Sequence, residues 1–378
     1  MEASDFRVEI AKIDRIDVHP NAERLELAYF KGWQFVVQKG KYKAGDLVVY
    51  IPIDSVLPET LEAAIFGPDS KVKLHNHRVK TIKLRGAISQ GLVLSVDDID
   101  TYLTTLDKPR YDWVEGHDLT EDLGIKKYEP PVPEWQSAGG QSHPAKKTYK
   151  NPNFKTYTKM ANFKYYIELF KPEDEVVITE KVHGTNFRAG WVPFYANTLW
   201  RKVQKFLGLA PKWVFVYGSH NVQISEKMLY NGFYDKNVYA EAVIKYELQK
   251  HIPKGRVLYG EIYGSGIQKG YAYGLEEERR VVAFDLMNSE TGEYLGWDEF
   301  AAEMMNVPVP VVPVLHLGKM GDADLTKCTE GRSVLAPPQK VREGCIVKSR
   351  VEEHCYAGRK ALKVINAEYL LGDQTDYH

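Results

Sequence analysis

One lysine in this chain of 378 residues has neighbours that suit a nucleophile. Lys181 follows an apolar run at 175–179, and Gly184 comes three residues later. A lysine at the end of a strand, before a glycine turn, projects into a cleft with little steric cover. It attacks only after losing its proton, which nearby cations or a metal ion promote. Taken alone, the pattern is explained better by an exposed lysine before a β-turn.

Three further charged residues, each on a strand-like segment, change that interpretation. Glu261 lies in the segment 258–264, Glu343 precedes the apolar run 345–347, and Lys363 stands between apolar neighbours. Two carboxylates can hold a hydrated divalent cation, and a late lysine can neutralise an α-phosphate. Together with Lys181, these residues are what transfer of a nucleotide to lysine requires.

The segments that carry these residues indicate an α+β domain at 166–378. Strand-like runs alternate with amphipathic segments typical of helices. The strands are predicted at 175–179, 213–217, 257–259 and 281–284, and the helices at 235–249 and 297–305.

Residues 1–127 have a different pattern. Short apolar runs at 35–37, 47–51 and 91–94 are separated by turn residues, with no long helical segment between them. Such a succession of short strands predicts a small β-barrel or sandwich.

A linker is predicted at 128–165 from its proline and glycine content. No acidic residue occurs between Gln141 and Ile167. The segment is therefore either a solvated tether or a flexible basic segment that lies near polyphosphate or a nucleic-acid backbone. Its lysines are Lys146, Lys147, Lys150, Lys155, Lys159 and Lys164.

A basic amphipathic helix is predicted at 198–209. No acidic residue occurs from Pro193 to Trp213. We expect this helix to dock on its own domain; a contact with nucleic acid or with a partner is the alternative.

Composition excludes several classes of protein. The 50 Lys and Arg residues nearly cancel the 51 Asp and Glu residues, which leaves room only for local basic surfaces. The three cysteines have no metal-binding spacing, so we expect neither a disulfide framework nor a zinc site. The start lacks the pattern of a signal peptide, and no stretch has the roughly 20 apolar residues of a membrane helix. We therefore expect a soluble, cytoplasmic protein with no membrane partner, while its oligomeric state stays open.

The ordered motifs resemble those of a known superfamily. The string Glu-Lys-x-His-Gly-Thr-Asn at 180–186 resembles the RNA ligase 2-like branch of the covalent nucleotidyltransferases, which include ligases and capping enzymes. The stretches 19–27, 32–34 and 41–46 resemble a tRNA-binding OB-type domain. An OB domain before such a core is the arrangement of the RNA ligase 5 family. The resemblance implies an α+β multidomain fold, with an OB-type β-barrel followed by an α+β nucleotidyltransferase (ATP-grasp-like ligase) domain.

The resemblance also implies roles for individual residues. Lys181 would attack the α-phosphate of ATP, and Glu343 would hold Mg²⁺ or Mn²⁺. Glu261 would touch either the ribose or the water shell of that metal ion. Glu180 would read the adenine edge, and Phe284 would stack on the base. Lys363 would contact the phosphate. The other residues expected around the nucleotide are His183, Gly184, Asn186, Ser219, His220 and Lys360.

Several positions depart from the superfamily pattern. His183 stands where many relatives have Asp, and Asn186 where many have Arg. His220 replaces another Arg, so contacts to the ribose there are expected to be weaker or sensitive to pH. Lys360 and Lys363 are three residues apart, whereas the motif commonly spaces its lysines two apart, and this spacing places them on opposite faces of a strand. We expect Lys363 to be the phosphate contact, because it stands between apolar neighbours as the motif requires.

The N-terminal domain carries cations that could hold nucleic acid. By resemblance it would grip the strand that ends in a 3′-hydroxyl, although each cation alone is also consistent with a solvated surface. The cations singled out are Lys39, Lys41, Arg78, Lys83 and Arg85.

We therefore expect an ATP-dependent RNA ligase that seals 3′-hydroxyl/5′-phosphate breaks in nicked RNA or RNA/DNA duplexes through a lysyl-AMP intermediate. The alternatives are a related DNA ligase or capping enzyme, or an OB-domain binding protein that has lost catalysis.

Overall fold

A computed structural model describes residues 6–67, 74–108, 113–128, 150–225 and 237–372. The chain forms two compact units. The first comprises residues 1–134, 162–167 and 367–378, and the second residues 135–161 and 168–366. None of the helices in these described ranges has the length and apolar content needed to cross a bilayer.

The first unit is built mainly from short strands, as its alternating sequence predicts. Its strands are β1 (Glu9–Lys12), β2 (Arg15–Val18), β3 (Leu25–Phe30), β4 (Trp33–Gln38), β5 (Leu47–Ile51), β6 (Ser55–Val56), β7 (Thr81–Leu84), β8 (Ala87–Gln90), β9 (Leu92–Ser95) and β10 (Lys126–Lys127). Its first two helices are α1 (Glu59–Phe66) and α2 (Val96–Thr105).

These strands form separate small sheets: β2–β3–β4, β1–β5–β9, the hairpin β7–β8, and the pair β6–β10. The backbone amide of Val36 on β4 donates to the side-chain oxygen of Ser89 on β8, at 3.1 Å, instead of to a strand carbonyl. Gln34 likewise reaches the carbonyl of Ile88 with its side chain, at 2.8 Å. Among the described strands, the expected barrel is thus not closed by one continuous ladder of backbone hydrogen bonds. Between β4 and β8, hydrogen bonds that involve side chains take the place of that ladder.

The second unit mixes strands and helices, as predicted. Its strands are β11 (Ala161–Asn162), β12 (Glu175–Lys181), β13 (Thr185–Pro193), β14 (Trp213–Gly218), β15 (Gln223–Ser225), β16 (Arg256–Gly264), β17 (Arg279–Asn288), β18 (Val314–Lys319), β19 (Gly344–Ser349), β20 (His354–Cys355), β21 (Gly358–Arg359) and β22 (Ala361–Ile365). Its helices are α3 (Leu199–Phe206), α4 (Val238–Lys245), α5 (Leu248–His251), α6 (Trp297–Met304) and α7 (Leu325–Thr329), and α8 (Ala367–Leu370) follows in the first unit.

The helix predicted at 235–249 is instead two helices, α4 and α5. Glu247 between them has φ +44°, a left-handed conformation that ends one helix before the next begins.

Two five-stranded sheets organise the second unit, with strand orders β11–β22–β19–β12–β18 and β15–β14–β13–β16–β17. Alternate residues of β16 point to opposite faces of the second sheet. Leu258 and Ile262 join the large core formed with helices α4, α5 and α6. Tyr259 faces the other way, into a cluster with Phe154 and Tyr157. These last two aromatics come from the segment predicted as a basic linker, whose residues 129–149, with Lys146 and Lys147, lie outside the described residues.

A buried charge network joins strands of both sheets. Asp285 on β17, which is 1% exposed, accepts hydrogen bonds from Arg359 on β21 at 2.6 Å and from the Tyr157 hydroxyl at 2.6 Å. Lys348 on β19 lies 3.3 Å from the same carboxylate. Burial by itself raises the pKa of Asp285, but the charges of Arg359 and Lys348 outweigh it and hold that pKa below its ordinary value.

Another lysine from the predicted linker lies inside the first unit. The Lys164 ammonium donates to the side-chain oxygen of Gln90 at 3.0 Å and lies 4.4 Å from the centre of the Trp33 ring. Desolvation lowers the pKa of Lys164 to about 8. This lysine therefore serves packing within the first unit.

Removing the central carboxylate of the buried network should destabilise the second unit strongly. Asp285→Ala leaves Arg359 and Lys348 buried without their counter-charge, and we expect its free energy of unfolding to fall by about 3–5 kcal/mol in urea denaturation. Asp298→Ala is the matched control, because Asp298 pairs with Arg350 at the surface. It should change stability by less than about 1 kcal/mol. Equal effects of the two substitutions would contradict the role of the network.

Lys164 should make stability depend on pH in the alkaline range. Its pKa is lower in the folded protein than in the unfolded chain, so the unfolded chain binds more protons between about pH 8 and 10.5. The free energy of unfolding contributed by Lys164 therefore rises with pH in this window, by on the order of 3 kcal/mol. Lys164→Met removes the titration. A charged lysine is costly at this buried position, so the variant should be more stable than wild type near pH 8, and this advantage, measured at several pH values, should shrink as pH rises. A constant difference would show that the pKa of Lys164 is the same in the folded and the unfolded chain, and would contradict the prediction.

Candidate active site

The antiparallel register of β12 and β19 brings Lys181 and Glu343 together. Lys181, the last residue of β12, pairs with Gly344, the first residue of β19, so Glu343 lies next to the lysine. The Lys181 ammonium forms an ion pair with Glu343 Oε1. Gly344 has φ +150°, and a Cβ there would lie 2.0 Å from the carbonyl oxygen of Val364. Only glycine fits at this point of the sheet.

A second close approach brings Glu261 to the same place. After Lys181 the chain turns and enters β13, where Asn186 pairs with Glu261 of β16. A Cβ on Gly184 would lie 2.2 Å from the carbonyl oxygen of Ile262 and 2.8 Å from Cγ of Glu261. The glycine three residues after the lysine is thus required by the contact between the turn and β16.

The two carboxyl groups and His183 have strongly shifted pKa values. Burial raises the pKa of Glu343, which is 3% exposed, and the opposing Lys181 charge does not cancel this effect. Desolvation raises the pKa of Glu261 to about 8. Burial, with a smaller effect of Lys181, lowers the pKa of His183 to about 4, so its imidazole is neutral at pH 7. At pH 7 the Glu261 carboxyl group is therefore mostly protonated, and burial opposes the charged form of Glu343.

Several buried oxygens here have no hydrogen-bond partner among the described residues. They are Oε1 of Glu180, Oδ1 of Asn186 and Oε2 of Glu343. The other oxygen of Glu180 accepts from the backbone amides of Val334, at 2.7 Å, and Leu335, at 3.1 Å, which fixes this side chain. Buried oxygens are normally paired, so a set of free acceptors beside a lysine fits a ligand with hydrogen-bond donors and a divalent cation.

The structure separates the two late lysines. Lys363 lies on β22 opposite Ile346 of β19, and its positive charge acts on Glu343. Lys360 instead forms ion pairs with Asp174 at 2.9 Å and Glu353 at 3.1 Å. Of these two lysines, the structure thus brings Lys363 to the charged group, whereas Lys360, which precedes β22, pairs elsewhere.

Phe284 and Lys348 are linked at an irregularity in β17. The register of β16 and β17 shifts between Tyr259 and Gly260, opposite Phe284. The Phe284 ring packs edge-on against Tyr157, with ring centroids 4.8 Å apart. The backbone carbonyl oxygen of Phe284 accepts a hydrogen bond from the Lys348 ammonium at 2.9 Å. Phe284 therefore belongs to the same sheet face as Tyr259.

Ser219 and His220 come directly after β14, the strand that pairs with β13. The carbonyl oxygen of Ser219 accepts from Arg188 Nε at 2.9 Å. Partial burial, together with the charges of Arg188 and Lys159, lowers the pKa of His220. His220 is thus a neutral neighbour of two cations rather than a cation itself.

Sequence reasoning missed the loop 265–274, which buttresses the turn after Lys181. The Tyr273 hydroxyl accepts the backbone N–H of His183 at 2.8 Å, and Gln268 donates to the carbonyl of Gly184 at 2.8 Å. Tyr271 packs edge-on against His183. Tyr273 has φ +53°, an uncommon conformation for a non-glycine residue and one often found at functional sites. The available signal was the length of this connection between two paired strands.

Most of the cations predicted to meet nucleic acid are on the surface of the first unit. Lys39 and Lys41 are exposed beyond β4, and Lys83 and Arg85 are exposed on the β7–β8 hairpin. Arg78 differs: it is buried, pairs with Asp54 at 2.6 Å and lies over the ring of Tyr128. Its guanidinium is committed to groups of the protein, a position that the sequence alone did not reveal.

Two residues of the stretch 19–27 hold the tip of this hairpin. The His19 ring contacts the carbonyl oxygen of Leu84 at 3.1 Å, and the Asn21 amide donates to the carbonyl oxygen of Arg85 at 3.2 Å. Arg85 itself has φ +50°. The motif thus sets the backbone from which Arg85 projects.

Solved structures of one enzyme match nearly the whole chain. Naegleria gruberi RNA ligase with pyrophosphate aligns with a TM-score of 0.66 at 21% identity, over 97% of this chain and 98% of that one. A variant with ATP and manganese aligns with a TM-score of 0.66 at 22% identity, over 96% and 98%. A variant with AMP and manganese gives 0.65 at 21%, over 97% and 98%. At this identity the likeness shows the fold.

Family models agree with this fold. The OB-fold domain model matches residues 7–96, and the RNA ligase model matches residues 174–365, half of the chain. No curated protein matches the chain. The predicted order of an OB-type domain and a nucleotidyltransferase domain is confirmed, and this chain belongs to the RNA ligase family.

Proposed function

We propose that this RNA ligase consumes ATP and becomes adenylated on Lys181. The observation that carries the proposal is the contact between Lys181 and the buried Glu343, within a group of unpartnered acceptor oxygens. The Naegleria enzyme, with which the chain shares its fold, has been solved in separate structures with pyrophosphate, with ATP and manganese, and with AMP and manganese. ATP is the substrate of such a step, pyrophosphate is the product that it releases, AMP is the group that it transfers, and manganese is a divalent cation of the kind that it requires.

The adenosine would occupy the face of the sheet that carries Phe284. The free Oε1 of Glu180 can accept a hydrogen bond from the adenine amino group, and the Phe284 ring offers a surface for stacking. Asn186, Ser219 and His220 border the ribose in this arrangement. Gly184 keeps the turn close to Glu261, while Tyr273 fixes the His183 backbone.

Glu343 and Glu261 would hold the divalent cation. Burial raises the pKa of both groups, and Oε2 of Glu343 has no hydrogen-bond partner among the described residues, so a bound cation would compensate the buried carboxylate charge. Mg²⁺ or Mn²⁺, when bound, would neutralise charge on the phosphates. His183, neutral at pH 7, then serves to position the turn.

The chemistry of Lys181 follows from its partner. Glu343 cannot pair fully with both the ammonium and a cation, so Lys181 loses its counter-charge when nucleotide and cation bind, which favours the neutral amine. Nζ then forms a bond to the α-phosphorus while the bond to the pyrophosphate oxygen breaks. Lys363 supports the charge that develops on the phosphate oxygens.

Joining would use the same site twice more. The AMP passes from Lys181 to a 5′-phosphate, and the 3′-hydroxyl then attacks that phosphate and expels AMP. We propose as substrate a nick with RNA on the 3′-hydroxyl side. The exposed cations Lys39, Lys41, Lys83 and Arg85 would contact its backbone, whereas Arg78 would not.

Adenylation should depend on Lys181. With α-labelled ATP and Mg²⁺ or Mn²⁺, we expect label that remains on the denatured wild-type protein and is absent from Lys181→Ala, because Lys181 is the lysine that we propose as the nucleophile and it forms the ion pair with Glu343. Label from GTP instead would identify a capping-type reaction. No label from ATP, GTP or NAD would contradict the proposal and leave a nucleic-acid-binding protein as the alternative.

The two late lysines should behave differently. Lys363→Ala removes a cation beside Glu343, and we expect the rate of adenylation to fall by about 10²–10³-fold. Lys360→Ala is the matched control, since the Lys360 ammonium pairs with Asp174 and Glu353 and lies over the Phe170 ring, and adenylation should fall less than about threefold. Rates come from single-turnover labelling. The reverse order of the two effects would make Lys360 the phosphate contact.

The hairpin cations should determine binding of nicked RNA. Replacing Lys83 and Arg85 together by Ala removes two backbone contacts, so the slope of log affinity against log salt should decrease by about two. The matched control replaces Lys126 and Lys127, two exposed lysines of β10 in the same unit. Affinities measured by fluorescence anisotropy at several salt concentrations give both slopes. Equal changes in the two variants would indicate a diffuse charge effect and not a hairpin contact.

A further inference from the structure

Helix α3, which lies in the connection between β13 and β14, carries solvent-exposed apolar side chains. Leu199 is 80% exposed, Trp200 69% and Phe206 89%, and no residue of the helix is buried. The expectation that this helix docks on its own domain is therefore wrong. Large exposed apolar patches on soluble proteins commonly mark surfaces that meet a partner.

The helix is locally well formed. Its N-cap Thr198 accepts the amide of Arg201 at 3.3 Å, and Gly208, with φ +68°, ends the last turn. Its shape is thus set by its own sequence, without support from a covering element. The exposure of its apolar side chains is therefore not explained by packing within the described residues.

Apolar and basic side chains lie on opposite sides of α3. At roughly 100° per residue, the apolar side chains fall within an arc of about 120° and the cations within a separate arc of about 100°. The apolar set is Leu199, Trp200, Val203, Phe206 and Leu207, and the basic set is Arg201, Lys202 and Lys205. Lys212 follows, and no acidic residue occurs from 193 to 213.

The helix is far from the candidate active site within the second unit. It leaves β13 at Pro193, whereas Asn186, near the other end of that strand, pairs with Glu261. Seven residues of extended strand separate these positions, roughly 23 Å. A contact made by α3 would thus leave the site open.

We propose that α3 is a docking element for an anionic lipid surface. A helix with Trp, Phe and Leu on one side and Lys and Arg on the other inserts its apolar side at the boundary of headgroups and acyl chains. The exposed side chains of Lys202 and Lys205 reach the headgroups with their long stems, whereas Arg201 donates to the carbonyl oxygen of Tyr195 within the protein. A bilayer also requires no matching groove, so a helix of eight residues presents enough surface.

Other occupants fit the observations less well. A single RNA strand would stack its bases on Trp200 and Phe206, but the cations that should meet its phosphates lie on the opposite side of the helix. Three of the five apolar side chains are aliphatic and offer no stacking surface. A second copy of the chain would bring like charges together, over far less than the roughly 1,200 Å² typical of a stable interface.

The test is co-sedimentation of the full chain with lipid vesicles. We expect binding to vesicles of phosphatidylcholine with phosphatidylserine and little binding to phosphatidylcholine alone. Replacing Lys202 and Lys205 by Gln should weaken binding on the order of 30-fold. Replacing Trp200 and Phe206 by Gln should abolish it. The matched control is Met305→Gln, an apolar residue that is 86% exposed outside α3, and it should bind as wild type does.

Adenylation of free protein should be the same in all these variants, which shows that they are folded. Absence of binding to anionic vesicles by the wild type would overturn the proposal. So would binding that both α3 variants retain. Loss of affinity for single-stranded RNA in the α3 variants, without any vesicle binding, would overturn it in favour of RNA.

Discussion

The candidate site depends on one buried carboxylate, Glu343, and on the lysine that partly neutralises it. A carboxylate that is 3% exposed is costly in a folded protein unless cations compensate it. Lys181 supplies one such charge and Lys363 contributes at longer range, yet the pKa of Glu343 remains above its ordinary value. The neighbouring cations thus offset only part of the cost of burying this carboxylate beside Lys181.

The backbone that positions these groups is itself tightly constrained. Gly184 and Gly344 stand where the turn meets β16 and where β19 meets β22, and neither position has room for a Cβ. Loop 265–274 then fixes the turn through the hydroxyl of Tyr273. The network around Asp285 holds β17 and β19 together through side chains, and Lys348 also binds the carbonyl oxygen of Phe284. The same buried charges therefore support the fold and the position of the aromatic ring.

Much of this arrangement could be predicted from sequence because it follows from strand periodicity. Lys181, Glu261, Glu343 and Lys363 each lie on or beside a strand, and the alternation of side chains separates Lys363 from Lys360. The fate of other cations could not be predicted in this way. Arg78 and Lys164 occur in basic stretches, yet each is used inside the first unit, because long-range neighbours such as Asp54 and Gln90 decide their environment. The bare helix α3 is a similar case, since amphipathicity predicts a helix without telling what covers its apolar side.

His220, which stands where the motif resemblance leads one to expect arginine, is a neutral ring close to two cations. His220 has a lowered pKa because it is partly buried and because Arg188 and Lys159 lie nearby. Two permanent cations therefore surround a neutral ring that would otherwise have carried the charge. Arg188 is held by the carbonyl oxygens of Ser219 and Phe154, at 2.9 and 2.6 Å, so its position is fixed by the same strand end. Arg188 and Lys159 thus supply positive charge at this edge of the sheet. The three-residue motif alone does not show this, because neither cation belongs to it.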